Sequence, residues 1–167
     1  MEEKNYFIML VDTPCGGPTI EAISVPDLRA NRGRAIGGLK EKYKLKLILT
    51  PGNAPEDFPA RDIAEKAKFQ IFSKKFIDVL DQLQVDNIEY FDADVTYEPT
   101  GEQLDYKVAN IIGAISGLDL EKSQVIYDDD DDDEKFILEI EKMCFDDTKM
   151  KGNKIFRLQE SIMHIVV

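Results

Sequence analysis

Apolar residues come along this chain in short runs of about four to eight, each closed by proline, glycine or a group of charges, and runs of that length suit strands better than helices. Tyr6 to Val11 reads as a buried first strand, ended by Asp12-Thr13-Pro14 and by Gly16-Gly17-Pro18. One short strand fits around Thr19 to Val25 in an otherwise weakly patterned stretch. Lys44 to Thr50 alternates Lys with Leu and closes at Pro51-Gly52. Asn87 to Val95 sets Asp92 and Asp94 among apolar residues, as a strand with one wet face does, and ends near Pro99-Thr100-Gly101. Ser123 to Tyr127 and Lys135 to Glu141 read as two strands joined by the charged loop Asp128 to Asp133, and Ile155 to Leu158 and Ile162 to Val167 as two more.

One segment has a clear helical period. Ser73 is a good N-cap, and Phe76, Ile77, Leu80 and Leu83 then fall on one face. Leu104 to Leu118 supports both readings: Val108, Ile111, Ile112 and Ile115 have helical spacing, yet their β-branched character suits a strand. The expected fold class is α+β, with mixed, mostly antiparallel sheets and a few helices. A lobe boundary is expected within Asn53 to Pro59, giving a β-rich lobe with a basic segment over 1–58 and an acidic α+β lobe over 59–167.

The formal net charge is -12, which disfavours nucleic acid and anionic membranes as partners and favours basic ones. The charge is unevenly spread. Arg29 to Lys46 holds seven basic residues and one acid, Glu41, whereas Asp86 to Asp147 holds twenty acids and four lysines. The opening Met1-Glu2-Glu3 lacks the basic start of a signal peptide, and no apolar run approaches the roughly 20 residues of a membrane helix, so a cytoplasmic location is expected. Cys15 and Cys144 are isolated thiols without metal-type spacing, consistent with a reducing compartment, although a single disulfide between them stays open.

Several segments invite a chemical reading. Gly33 to Lys40 resembles a phosphate loop but has Leu39 where the lysine belongs and Lys40 where the hydroxyl belongs, so it reads as a basic surface loop. Asp128 to Asp133 with Glu139 partly overlays a calcium loop, but Asp133 stands where the turn needs glycine, and adjacent carboxylates are best left hydrated. His164 is the only histidine and sits in an apolar run, so no zinc constellation forms. Ser73 reads as a helix cap rather than a nucleophile. Pairs such as Asp92 and Asp94 arise by chance in a chain with 33 acids. No catalytic residue, metal ligand or cofactor is expected.

Phe72-Ser73, Phe76 and Leu80, followed by Val85 to Phe91, then Tyr106 to Ile112, Leu118 to Ser123 and Ile155 to Leu158, resemble in order and spacing an immunity protein family of bacterial polymorphic toxin systems. The resemblance covers about residues 60–167, with the front third matching loosely, and family members usually continue past the last strand into a further helix. It implies an α+β fold, no catalysis, and neutralisation of a cognate protein toxin encoded by a neighbouring gene. The charge map agrees with it, since an acidic surface suits a basic, nuclease-type toxin. The candidate partner-binding residues are Asp92, Asp94, Glu98, Glu102, Asp119 and Glu121. The competing expectations are an enzyme with an unrecognised site, acting through acid pairs and the Arg32/Arg34 loop, and a scaffold module pairing its basic segment with the acidic half of another copy.

Overall fold

In the computed structural model of the protein, the described residues are 6–9, 18–24, 33–37, 43–48, 61–66, 69–128, 136–150, 152–161 and 164–167. In chain order its elements are β1 (Ile8–Met9), β2 (Thr19–Ser24), β3 (Tyr43–Ile48), β4 (Ile63–Lys66), β5 (Phe69–Ser73), α1 (Lys74–Gln82), β6 (Ile88–Tyr97), β7 (Glu102–Leu104), β8 (Tyr106–Ile111), β9 (Ala114–Ile115), β10 (Gln124–Asp128), β11 (Phe136–Lys142), α2 (Asp147–Met150), β12 (Phe156–Leu158) and β13 (Ile165–Val166). The class is α+β, with mixed and mostly antiparallel sheets. Only the β3–β6 and β9–β12 pairs are parallel among those described. The elements fall into two compact units, Leu10–Ile112 and Met1–Met9 with Gly113–Val167.

This division differs from the expected lobes 1–58 and 59–167. The segment Asn53 to Pro59 lies outside the described residues, but β3 precedes it and β6 follows it, and these two strands pair from Tyr43 with Ala93 to Leu47 with Tyr97. A parallel ladder needs a long crossover, so strands that are partners in space sit far apart in sequence.

The Leu10–Ile112 unit is a seven-stranded sheet in the order β2-β3-β6-β8-β5-β4, with β7 also on β6. Alternation builds it. In β3, Tyr43, Leu45 and Leu47 turn inward, and in β6 Phe91, Val95 and Tyr97 do the same, joined by Ile20, Ile71, Tyr106 and Val108 in one buried cluster. Leu104 to Leu118, which has two readings in sequence, contains the strand β8. It lies between β6 and β5 with both faces largely buried, which is why its apolar residues run nearly without a break. β7 and β8 keep a single register against β6, closing a long hairpin over the turn Glu98 to Gly101, where Gly101 takes φ +73° and donates to the Tyr97 carbonyl at 2.8 Å.

On the opposite face of β5, helix α1 begins at Ser73, whose Oγ accepts the Phe76 N–H at 3.1 Å and donates to Asp62 at 2.6 Å. Phe72 and Phe76 pack edge to face at 5.0 Å. The helix ends in a Schellman arrangement: Gln84, at φ 56°, donates to Asp81 O and Val85 donates to Leu80 O. Ile77 and Leu80 are buried as the period predicts, whereas Leu83 is exposed. The inward direction passes between Ile77 and Leu80, which leaves Leu83 about a quarter turn away.

The Met1–Met9 and Gly113–Val167 unit contains a four-stranded sheet, β1-β13-β12-β9, and a separate β10–β11 hairpin. Val166 lies between Ile8 and Phe156 in the ladders, so the terminal apolar run is an internal strand. Its core is Leu118, Met150, Phe156, Leu158 and Val166, against which Tyr6, Phe145 and Ile140 pack. Gly117 is required here by closeness, since a Cβ would lie 3.0 Å from Met150 Sδ and 3.2 Å from Leu158 Cδ2.

A carboxylate fastens the basic loop to the sheet of the Leu10–Ile112 unit. Glu89 accepts the backbone N–H groups of Ile36 at 2.8 Å and Gly37 at 3.0 Å, together with Nδ2 of the fully buried Asn110 at 2.9 Å; the same Nδ2 donates to Arg34 O at 2.9 Å. Burial by itself raises the Glu89 pKa, but these three hydrogen bonds outweigh it and hold the carboxyl below its ordinary 4.5. A depressed folded-state pKa contributes stability that is complete above the ordinary glutamate range and is lost as pH falls through the folded value. Glu89→Gln is therefore expected to lower stability to urea at neutral pH by about 1.5–3 kcal/mol. The deficit relative to the parent protein narrows as pH falls through the depressed folded-state value, where the parent carboxyl is itself protonated.

Candidate functional site

Asp92 and Asp94 follow the alternation of β6 onto the face opposite its buried cluster, and both are exposed. This face is not uniformly acidic. Lys107 stands opposite Asp92 on β8, with Nζ 3.4 Å from Oδ1, and Lys44 on β3 is the register partner of Asp94. Lys46 pairs in register with Thr96 on one side and Glu21 on the other. Gln103 donates to Thr96 Oγ1 at 2.6 Å. Lys44 and Lys46, two of the seven basic residues of the Arg29 to Lys46 segment, are thus folded beside the acids of β6, and the result there is an alternating pattern of charge. Glu98 and Glu102 flank the hairpin turn, both exposed, with the Glu98 N–H donating to Leu47 O at 2.9 Å.

Asp119 and Glu121 belong to the other unit, so the six candidates do not form one site within either unit. The turn they occupy lines an open depression of about 430 Å³ with Ser116, Leu118, Leu120, Asp146 and Lys149. Lys122 folds back on Asp119 through its ammonium group and its backbone N–H, and the side-chain hydrogen bond to Lys122 draws the Asp119 carboxyl below its ordinary range. Asp146 is lowered chiefly by its hydrogen bond from the Thr148 hydroxyl at 2.6 Å, and Lys149 lies 3.5 Å away. Beside them Glu160 accepts Ser116 Oγ at 2.7 Å and the N–H groups of Gly117 and Leu118 at 3.3 and 3.4 Å, holding the rim as Glu89 holds its loop. Two of the carboxylates in this depression already have cationic partners, while Glu121 and the half-exposed Leu120 stand on its surface.

The chemical motifs resolve into structural roles where they are described. Backbone N–H groups in the Gly33–Gly37 part of the phosphate-loop-like segment are directed to Glu89, an anion supplied by the chain itself. Ser73 caps α1. His164 accepts or donates through Nδ1 to Ser161 Oγ at 2.7 Å, and burial lowers its pKa. Among the described residues, no group of three or more His, Cys, Asp or Glu side chains is arranged to hold a metal ion. No helix among them is long and apolar enough to cross a membrane. Cys15, Arg29, Arg32, Gly38 to Lys40 and the aspartates from Asp129 to Asp133 lie outside the described residues.

Residues 21–167 match the sequence model of the immunity protein family (Imm11). The chain belongs to this family. No curated protein matches it. The family match starts within β2, well before the 60–167 span of the resemblance read from motifs, and so includes β3, the strand that the fold places beside β6. An immunity protein implies a cognate toxin and, in general, neutralisation of that toxin without catalysis. Because Asp92 and Asp94 are exposed on the sheet face, replacing both with Asn is expected to change stability to urea by no more than about 0.5 kcal/mol, leaving a folded variant for binding measurements.

Proposed function

We propose that this immunity protein acts in the cytoplasm as a non-catalytic inhibitor, binding directly to a basic, nuclease-type toxin encoded beside it. The observation that carries the reading is family membership over residues 21–167. Its charge supports the nature of the partner: the stretch from Asp86 to Asp147 holds twenty acids and four lysines. A surface of that sign steers a cationic protein into encounter and repels nucleic acid, the substrate competing for a nuclease cleft. Asp92, Asp94, Glu98, Glu102, Asp119 and Glu121 are the proposed contacts, acting as two groups: the first four on the β6–β7 hairpin and the last two at the depression in the other unit. Asp92, facing Lys107, contributes less to such a field than Glu98 and Glu102 at the hairpin turn.

Co-expression is expected to protect cells from the neighbouring toxin. The purified pair is expected to associate more slowly and bind roughly tenfold or more weakly as ionic strength is raised from low to well above physiological, measured by surface plasmon resonance. Affinity and association rate that do not change with salt contradict the electrostatic part, and unprotected cells contradict the reading itself.

A further inference from the structure

The sequence of β11, Phe136-Ile137-Leu138-Glu139-Ile140-Glu141-Lys142, has a two-residue period that sets Leu138 and Ile140 on one face and Ile137, Glu139 and Glu141 on the other. The strand departs from it. Opposite β10, Ile126 pairs with Glu139 and Tyr127 with Ile137, so Leu138 is an extra residue in a β-bulge; Val125 pairs with Ile140 and Gln124 with Lys142, so Glu141 is another. The two bulges keep Ile137 and Ile140 both half-buried, Ile140 against the core of Leu118, Met150 and Phe156. They turn Leu138, Glu139, Glu141 and Lys142 outward together with Gln124 and Ile126.

Leu138 is consequently 70% exposed, the highest value among the described large apolar residues, and Ile126 across the hairpin is 40% exposed. A regular strand would have turned Leu138 to the same side as Ile140. β10 and β11 pair only with each other among the described residues, and no described strand covers the outer edge of either. Exposed aliphatic side chains ringed by charges match the anatomy of a binding patch, in which an apolar centre is desolvated and a polar rim selects the partner.

We propose that this face of the β10–β11 hairpin is where the immunity protein docks its toxin, a partner with a basic surface, with Leu138 and Ile126 at the centre and Glu139 and Glu141 at the rim. The inference rests on the toxin-neutralising reading and adds to the acidic contacts proposed above an apolar anchor that those acids do not supply. Charge complementarity selects the occupant: the two rim acids belong to a chain of net charge -12, so a second copy would bring like charge to the face and a cationic protein brings the opposite.

Ile23 supplies a matched control. It is 57% exposed, the extra residue where β2 pairs Ala22 with Leu45 and Ser24 with Lys44, and it belongs to the other unit. The full chain, Leu138→Asp, Leu138→Ala and Ile23→Asp are titrated calorimetrically with the toxin encoded by the neighbouring gene, and each is checked by thermal unfolding and size-exclusion chromatography. Leu138→Asp is expected to weaken binding by at least about tenfold and Leu138→Ala by a smaller factor, while Ile23→Asp stays within about twofold of the parent. If Leu138→Asp does not fold, the loss on Leu138→Ala decides. Parent-like affinity in the folded Leu138 variants, or an equal loss in Ile23→Asp, overturns the hairpin as the docking face and leaves the toxin-neutralising reading intact. A parent dimer that Leu138→Asp dissolves also overturns it, because the occupant is then a second copy. Absence of binding and of cell protection by the parent chain brings down the reading itself, and this inference with it.

Discussion

Strand β6 is hydrogen-bonded along both edges, to β3 on one side and to β8 and β7 on the other, and this double commitment organises the Leu10–Ile112 unit. A central strand must pair the backbone groups of both edges, because an unpaired buried amide costs the desolvation it has undergone. Meeting that demand brings in β3 from the basic front of the chain and closes β7 and β8 back over the acidic middle. Glu89, near the start of β6, extends the arrangement to the loop at Ile36 and Gly37. The strand also fixes the surface, since the alternation that buries Phe91, Val95 and Tyr97 presents Asp92 and Asp94 on the other side.

Local patterns were readable to the extent that they determine local structure. Ser73 as a cap, Ile77 and Leu80 as the buried stripe of α1, the Lys-Leu alternation of β3 and the paired runs of β10 and β11 all depend on residues a few positions apart. The lobe boundary depended on something else. The parallel ladder of β3 on β6 joins residues about fifty positions apart, and neither strand's own pattern names its partner. Leu104 to Leu118 was ambiguous for a related reason. A strand buried on both faces loses its alternation, and Val108, Ile111 and Ile112 then mimic a helical stripe.

Charge shows the same limit more sharply. Summed along the sequence, Arg29 to Lys46 and Asp86 to Asp147 are opposed blocks; folded, Lys44 and Lys46 lie on a strand beside Asp94 and Thr96. The six acids chosen from sequence therefore have different surroundings: Asp92 and Asp119 face lysines, and Glu98 and Glu102 stand at an exposed turn. Leu138 was not legible at all as a surface residue, because its position within β11 suggests burial and only the bulge register against β10 turns it outward. Family membership supplies what neither pattern nor geometry does, namely that this chain has a cognate toxin to neutralise.

The central claim is that neutralisation is stoichiometric binding, and a titration of toxin activity tests it most directly. Increasing amounts of the purified chain are added to a fixed concentration of the neighbouring toxin, well above the dissociation constant, and residual activity is read after short and long incubation. The account predicts a linear fall that ends at an equimolar ratio and does not deepen with time. Inactivation by substoichiometric amounts that progresses with incubation contradicts it, because one chain would then be acting on many toxin molecules.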